Sequence, residues 1–297
     1  MDNKKVKMKI RPVKIWLSTF NAIVKRPVLL APFIVIAFFE CLSLEIACFC
    51  TRKPLFLVFG PILRKFFGEQ SLHYPANIMI TPALFYYAQV IIYIFAGVLL
   101  SAISVNILHN IKEGLPVKLN AMVRNALRRY GAFLVYGVII MILMAALKPL
   151  DQFVFTKAFR LLHRMVPGFT IEFSGLTFTL IIFLTSFFVQ VLFMASVPFM
   201  VLEKKNIFKA ILNSIALFGR NFFGMLILIG MPFLVYLPIA VLKNFARELT
   251  AASFPEIVVV ITVLGIIISI FIDCFVILCA SQVVMEVSKN KNTGKTA

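Results

Sequence analysis

Apolar residues along this chain gather into six runs, at about 28–50, 82–108, 131–149, 176–202, 222–242 and 257–285. A helix rising 1.5 Å per residue needs about 20 residues to cross a hydrocarbon core of about 30 Å, so nearly every run is long enough. None of them shows the alternation of a barrel strand, and a backbone in lipid must satisfy its own hydrogen bonds. The pattern therefore predicts an all-α fold: a polytopic membrane helix bundle with six transmembrane helices, forming a single integral membrane domain over 1–297.

A second pattern repeats between the runs. Before each odd-numbered span lies a stretch whose apolar positions recur every three or four residues, the period of a helix with one apolar face. In the first, Pro12 to Val24, residues Val13, Trp16, Leu17, Phe20, Ile23 and Val24 oppose Lys14, Ser18, Asn21 and Lys25. In the second, Pro116 to Arg129, residues Leu119, Met122, Val123, Ala126 and Leu127 oppose Arg124, Asn125, Arg128 and Arg129. In the third, Ile207, Phe208, Ile211, Leu212 and Ile215 oppose Lys205, Lys209 and Asn213. Basic helices of this kind lie flat in the membrane interface, so Lys14, Arg124, Arg128, Arg129, Lys205 and Lys209 are candidate contacts to lipid headgroups. The chain then reads as a three-fold, hairpin-like repeat of interfacial helix, span out, loop and span back. Two outer loops are expected to carry helices of their own. Phe153 to Val166 has a polar stripe at Thr156, Lys157, Arg160, His163 and Arg164 backed by Phe155, Phe159, Leu162 and Val166, and Leu55 to Phe67 is interrupted at Gly60-Pro61. Pro198, Pro232 and Pro238 should bend their spans, and Gly97, Ser101 and Val105 offer a close helix contact in span two.

Composition agrees with the membrane reading. Hydrophobic residues make up 61% and charged residues 14%, against about 25% charged in soluble domains. The net charge of +18 would suggest nucleic acid in a soluble protein, but no aromatic-and-basic binding module is present and the charge is distributed by side. The amino end, second loop, fourth loop and tail hold 20 of the 30 Lys and Arg, with Lys148 counted in the loop that follows it. The positive-inside rule places those segments in the cytoplasm, with 1–26 a basic cytoplasmic amphipathic segment and 286–297 a basic cytoplasmic tail of a cell (inner) membrane protein. The expected partner is a bilayer with anionic headgroups, other membrane proteins being the further class. The basic start is expected to remain uncleaved, since Lys25 and Arg26 interrupt the apolar stretch and Glu45-Ile46-Ala47-Cys48 departs from a lipoprotein box. Cys41, Cys48, Cys50, Cys274 and Cys279 lie in or at the ends of spans and read as small packing residues.

Chemical motifs are sparse. His73, His109 and His163 have no partner at metal-ligand spacing, and there is no phosphate loop or nucleophile elbow, so neither a metal, a cofactor nor an enzyme is expected. Polar residues within the spans are Glu40, Glu45, Gln89, Gln190 and Asp273. Glu45 is close to the outer interface, and Gln89 and Gln190 suit interhelical hydrogen bonds. Glu40 and Asp273 stand out, because a charge at depth costs at least ~2.5–3.5 kcal/mol and the runs place no cation there to neutralise them. At 1.5 Å per residue Glu40 lies about 18 Å and Asp273 about 17 Å from the cytoplasmic ends of their spans, so the two either meet directly or each bonds a neighbouring helix.

The segment Val197-Pro198-Phe199-Met200-Val201-Leu202-Glu203, with Ala210, Ser214 and Phe222 beyond it, resembles a poorly characterised prokaryotic multi-pass family. In that family a span ending in Pro and Glu precedes an Ala-x-x-x-Ser interfacial helix. Similar segments occur in the membrane domain attached to some bacterial glycerophosphodiester phosphodiesterases. Their catalytic barrel has no counterpart here, so their hydrolase activity does not carry over, and the resemblance implies a six-span helical membrane domain of unknown role. The leading functional expectation is a non-enzymatic protein that organises lipid or partner proteins through its interfacial helices. A permease subunit exchanging protons at Glu40 and Asp273 is the alternative, and a lipid-modifying membrane enzyme the third.

Overall fold

A computed structural model of the chain describes residues 10–165, 171–245, 249 and 254–293. The elements are α1 (Pro12–Lys25), a 3-10 turn (Pro27–Leu30), α2 (Ala31–Phe49), α3 (Phe56–Phe67), α4 (Ala76–Ile92), a π-helical turn (Tyr93–Gly97) and α5 (Val98–Lys112). Then come α6 (Leu119–Leu127), α7 (Tyr130–Met165), α8 (Ile171–Phe193), α9 (Ser196–Leu202), α10 (Ile207–Arg220), α11 (Phe222–Asn244) and α12 (Ile257–Thr293). Among the described residues six helical stretches are long and apolar enough to cross a membrane, and they coincide with the six runs. The protein is an all-α, multi-pass membrane bundle.

Several boundaries differ from the sequence reading, each for a backbone reason. Span four divides at Met194 and Ala195 into α8 and α9, because Pro198 lacks the N–H that would bond to the carbonyl of Met194 four residues back. Span three and the helix expected after it are one element: α7 runs without a break through Pro149 to Met165, there being no glycine between them to end it. The side chains of Phe159, Leu162, His163 and Arg164, and Val166 as a whole, lie outside the described residues. Helix α3 is likewise continuous across Gly60-Pro61, where the missing side chain of Gly60 accommodates the ring of Phe56. The last span continues as helix into the basic tail as far as Thr293.

The spans form a closed ring. Within each unit the outgoing and returning spans pack together, α2 with α4, α7 with α8 and α11 with α12. Between units α5 meets α7, α8 meets α11, and α12 meets α2. The returning spans also converge at the centre, where α5, α9 and α12 touch one another. The expected three-fold repeat thus appears in the packing as well. Each interfacial helix leans on the returning span that precedes it: α6 on α5, α10 on α8 and α9, and α1 on α12, closing the ring. The face carrying α1, α6 and α10 is called the basic face below, and the one carrying α3 the far face.

The best-sealed part of the core lies where the returning spans converge. Ile107, Leu108, Phe199, Met200 and Leu278 are each under 2% exposed. Polar clasps tie the same junction on its outside. The Ser288 hydroxyl donates to Glu203 Oε1 at 2.6 Å, Lys289 Nζ is 3.5 Å from Glu113 Oε1, and Lys205 Nζ is 2.5 Å from Glu203 Oε2. The two acids follow α9 and α5, and Ser288 and Lys289 lie on α12, so the clasps hold the three returning spans in register.

Candidate functional site

Two features separate this bundle from a plain apolar one: the surfaces of the interfacial helices, and a polar cluster within the membrane-spanning region. The helix surfaces are divided three ways rather than two. On α1 the stripe Val13, Leu17, Phe20 and Val24 is open, each residue being about 60% exposed. Protein contact is made by Ile15 and Thr19, which the sequence reading did not place on the packing face, and by Trp16, which it did. Thr19 is fully buried and its hydroxyl accepts from Gln282 Nε2 at 2.8 Å on α12. The other two helices repeat the division. On α6, Leu119, Val123 and Leu127 are exposed while Met122 and Ala126 are buried, and on α10, Phe208, Leu212 and Ile215 are exposed while Ala210 and Ser214 are buried. On α10, Leu217 and Phe218 are buried as well, and the Ser214 hydroxyl donates to Leu192 O at 2.6 Å.

The basic candidates fall into two groups. Lys14, Arg124, Arg128 and Lys209 are exposed along the edges of these helices. Arg129 and Lys205 are committed to protein: Arg129 donates to the carbonyls of Met200 and Lys204 at 2.5 and 3.2 Å, while Lys205 pairs with Glu203 and lies over the Phe199 ring. Both side chains thus brace the connection between α9 and α10.

Inside the membrane, Glu40 and Asp273 do not bond each other. Gln89 Nε2 donates to Glu40 Oε1 at 2.7 Å, and the Tyr93 hydroxyl donates to Asp273 Oδ2 at 2.5 Å. Gln89 and Tyr93 lie four residues apart on one face of span two, so a single helix carries the donors for both acids. Tyr93 opens the π-helical turn, and Gly97 seats its ring: a Cβ there would lie 2.7 Å from Tyr93 Cδ1. Gly97 thus serves this ring, and the close interhelical approach in this region is at Gly137 of α7, where a Cβ would stand 3.3 Å from the Ile94 backbone. Glu40 is 1% exposed.

The expectation that no cation reaches this depth is corrected by Lys243. It is the penultimate residue of α11, where lysine ordinarily extends outward along its stem to reach water. Here the stem turns inward. Its ammonium donates to the Tyr236 hydroxyl at 3.1 Å and lies against Gly265 of α12, where a Cβ would be 3.2 Å from Nζ. Lys243 and Gln89, the donor to Glu40, line one cavity. Its volume is about 160 Å³, and Pro82, Phe85, Ile261 and Thr262 are among its other lining residues. No hydrogen bond links Gln190, half-buried on α8, to this group. All five cysteines are free thiols; Cys41 is exposed, Cys48 half-buried and the other three buried. Sequence reasoning missed Tyr93, Tyr236 and Lys243, since tyrosine and a span-end lysine are common in any membrane helix.

No family model matches the chain, and neither a curated protein nor a solved structure is found to be similar to it.

Proposed function

We propose that this is a non-enzymatic protein of the cell membrane, with both ends cytoplasmic, that organises anionic lipid and partner proteins through three basic interfacial helices. The observation that carries the reading is the three-way division of α1, α6 and α10. Each turns one edge to the bundle and an open apolar stripe outward, and each carries an exposed basic side chain beside that stripe. A helix needed only to stabilise the bundle would not leave a continuous apolar stripe uncovered. Leaving Phe20, Leu127 and Phe208 uncovered fits a surface that meets acyl chains, with Lys14, Arg124, Arg128 and Lys209 at headgroup height, each contributing about 1 kcal/mol in an anionic leaflet.

Spin-labelled lipids in nanodiscs test this. Phosphatidylglycerol is expected to be immobilised by the protein in preference to phosphatidylcholine, and the preference to fall when Lys14, Arg124, Arg128 and Lys209 are changed together to Glu. Equal immobilisation of the two lipids by the unaltered protein removes the reading.

A second reading, a permease subunit exchanging protons at Glu40 and Asp273, is favoured by the intramembrane cluster. Proton-linked solute flux into proteoliposomes that is lost in Glu40→Gln with Asp273→Asn would establish it.

A further inference from the structure

The polar cluster contains two carboxyl groups and one ammonium. Its other members are neutral: Gln89 and Tyr93 from span two, Tyr236 from α11 and Thr262 from α12. Among the described residues no second cation reaches it. Net charge in a low-dielectric interior is costly, and among the described residues two acids and one lysine leave the cluster one positive charge short.

Lysine 243 does not close that gap by pairing. Among the described residues the ion pairs are Arg64 with Glu69, Lys205 with Glu203 and Lys289 with Glu113. The Lys243 ammonium is instead held by a neutral phenol, at the edge of a cavity whose floor is Gln89, the residue that bonds Glu40. Gly265 leaves its path clear. The ammonium thus lines the same cavity as Gln89, the donor to Glu40.

Access to the cluster is one-sided. Pro82 is near the start of α4, and Val258 and Ile261 are in the first two turns of α12, so the cavity reaches from the far face toward Gln89. Beyond Asp273, toward the basic face, the spans close on Leu29, Ile103, Ile107 and Leu278, all at most 4% exposed.

We propose that Glu40, Asp273 and Lys243 form a cation-exchange site, entered from the far face, in which one small monovalent cation, a proton or sodium, competes with the Lys243 ammonium for the two acids. The site rests on the same residues as the permease reading but does not require flux, since a cation held from one side can lock the bundle or be sensed. When the cation is bound, Lys243 swings back toward the far face. When it leaves, the lysine takes its place beside Glu40.

Carbodiimide labelling of the full-length protein in proteoliposomes tests this, because dicyclohexylcarbodiimide enters the bilayer and attacks protonated buried carboxyls. Peptide mass spectrometry separates Glu40 and Asp273 from Glu45. Labelling of Glu40 or Asp273 that is suppressed by sodium at constant pH identifies sodium as the exchanging ion. Labelling that ignores sodium but falls as the pH is raised on the far-face side identifies the proton alone. Labelling indifferent to both, or responding only to pH on the basic-face side, overturns the site. A tethered ammonium competes at millimolar effective concentration, so Lys243→Gln should lower the sodium or proton concentration giving half-effect by about tenfold. An unchanged half-effect concentration in Lys243→Gln and in Lys243→Arg overturns the role of Lys243. Solute flux that fails while protection of the carboxyls persists leaves this site standing and removes only the permease.

Discussion

At the scale of single residues, most of the specificity here comes from backbone carbonyls that a helix cannot satisfy by itself. Pro232 has no N–H for the carbonyl of Leu228, four residues back, and the indole N–H of Trp16 donates to that oxygen at 3.0 Å. The break before α9 is served in the same way, Tyr136 donating to Phe193 O at 3.0 Å and Ser214 to Leu192 O. Trp16→Phe should therefore lower stability by about 1–3 kcal/mol, the cost of an unmet buried carbonyl. In a Pro232→Ala background the N–H returns and the cost of Trp16→Phe should shrink, which a double-mutant cycle on thermal stability in detergent would measure. Additive effects would mean that the indole bond is incidental. Gly97→Ala is the second residue-scale test. Its Cβ would meet the Tyr93 ring at 2.7 Å and push the hydroxyl off Asp273, so loss of thermal stability is expected, and Gly97→Ala should add little further loss in a Tyr93→Ala background.

At the scale of elements, α6 and its end place positive charges that look identical in sequence in different surroundings. Arg124, Arg128 and Arg129 lie within six residues of one another, yet only Arg129 holds protein carbonyls. Hydrogen bonds from a charged donor contribute about 1.5–3 kcal/mol, so Arg129→Gln should lower the melting temperature while leaving the preference for anionic lipid nearly unchanged. Arg124→Glu with Arg128→Glu should do the reverse, weakening lipid preference by about 1 kcal/mol per charge removed at little cost in stability. Both quantities are read from one set of nanodisc samples, and the same profile for the two sets would show that the helix has no such division of labour. The three-fold pattern of these helices was legible because the interfacial period exposes one charged edge. Which apolar residues of that face meet protein was not: Val13 and Leu17 look better suited to packing than Thr19, and only the neighbouring α12 makes Thr19 the contact.

At the scale of the whole molecule, the distribution of Lys and Arg sets an orientation that reporter fusions can check. Reporters after Lys118 and at the tail should behave as cytoplasmic, and reporters near Lys65 and Arg160 as external. A cytoplasmic signal near Arg160 would overturn the orientation that places α1, α6 and α10 against the inner leaflet. The sequence by itself determined six spans, the basic interfacial helices and the two acids at depth, because bilayer thickness and the cost of a charge in hydrocarbon act on composition along the chain, whatever the neighbours are. Tertiary structure alone decided which residues meet: Gln89 with Glu40, Tyr93 with Asp273, Thr19 with Gln282, and a lysine turned inward at Gly265. In lipid the side of a span that faces solvent is as apolar as the side that faces protein, so hydropathy fixes a span's depth and leaves its rotation and its neighbours to packing.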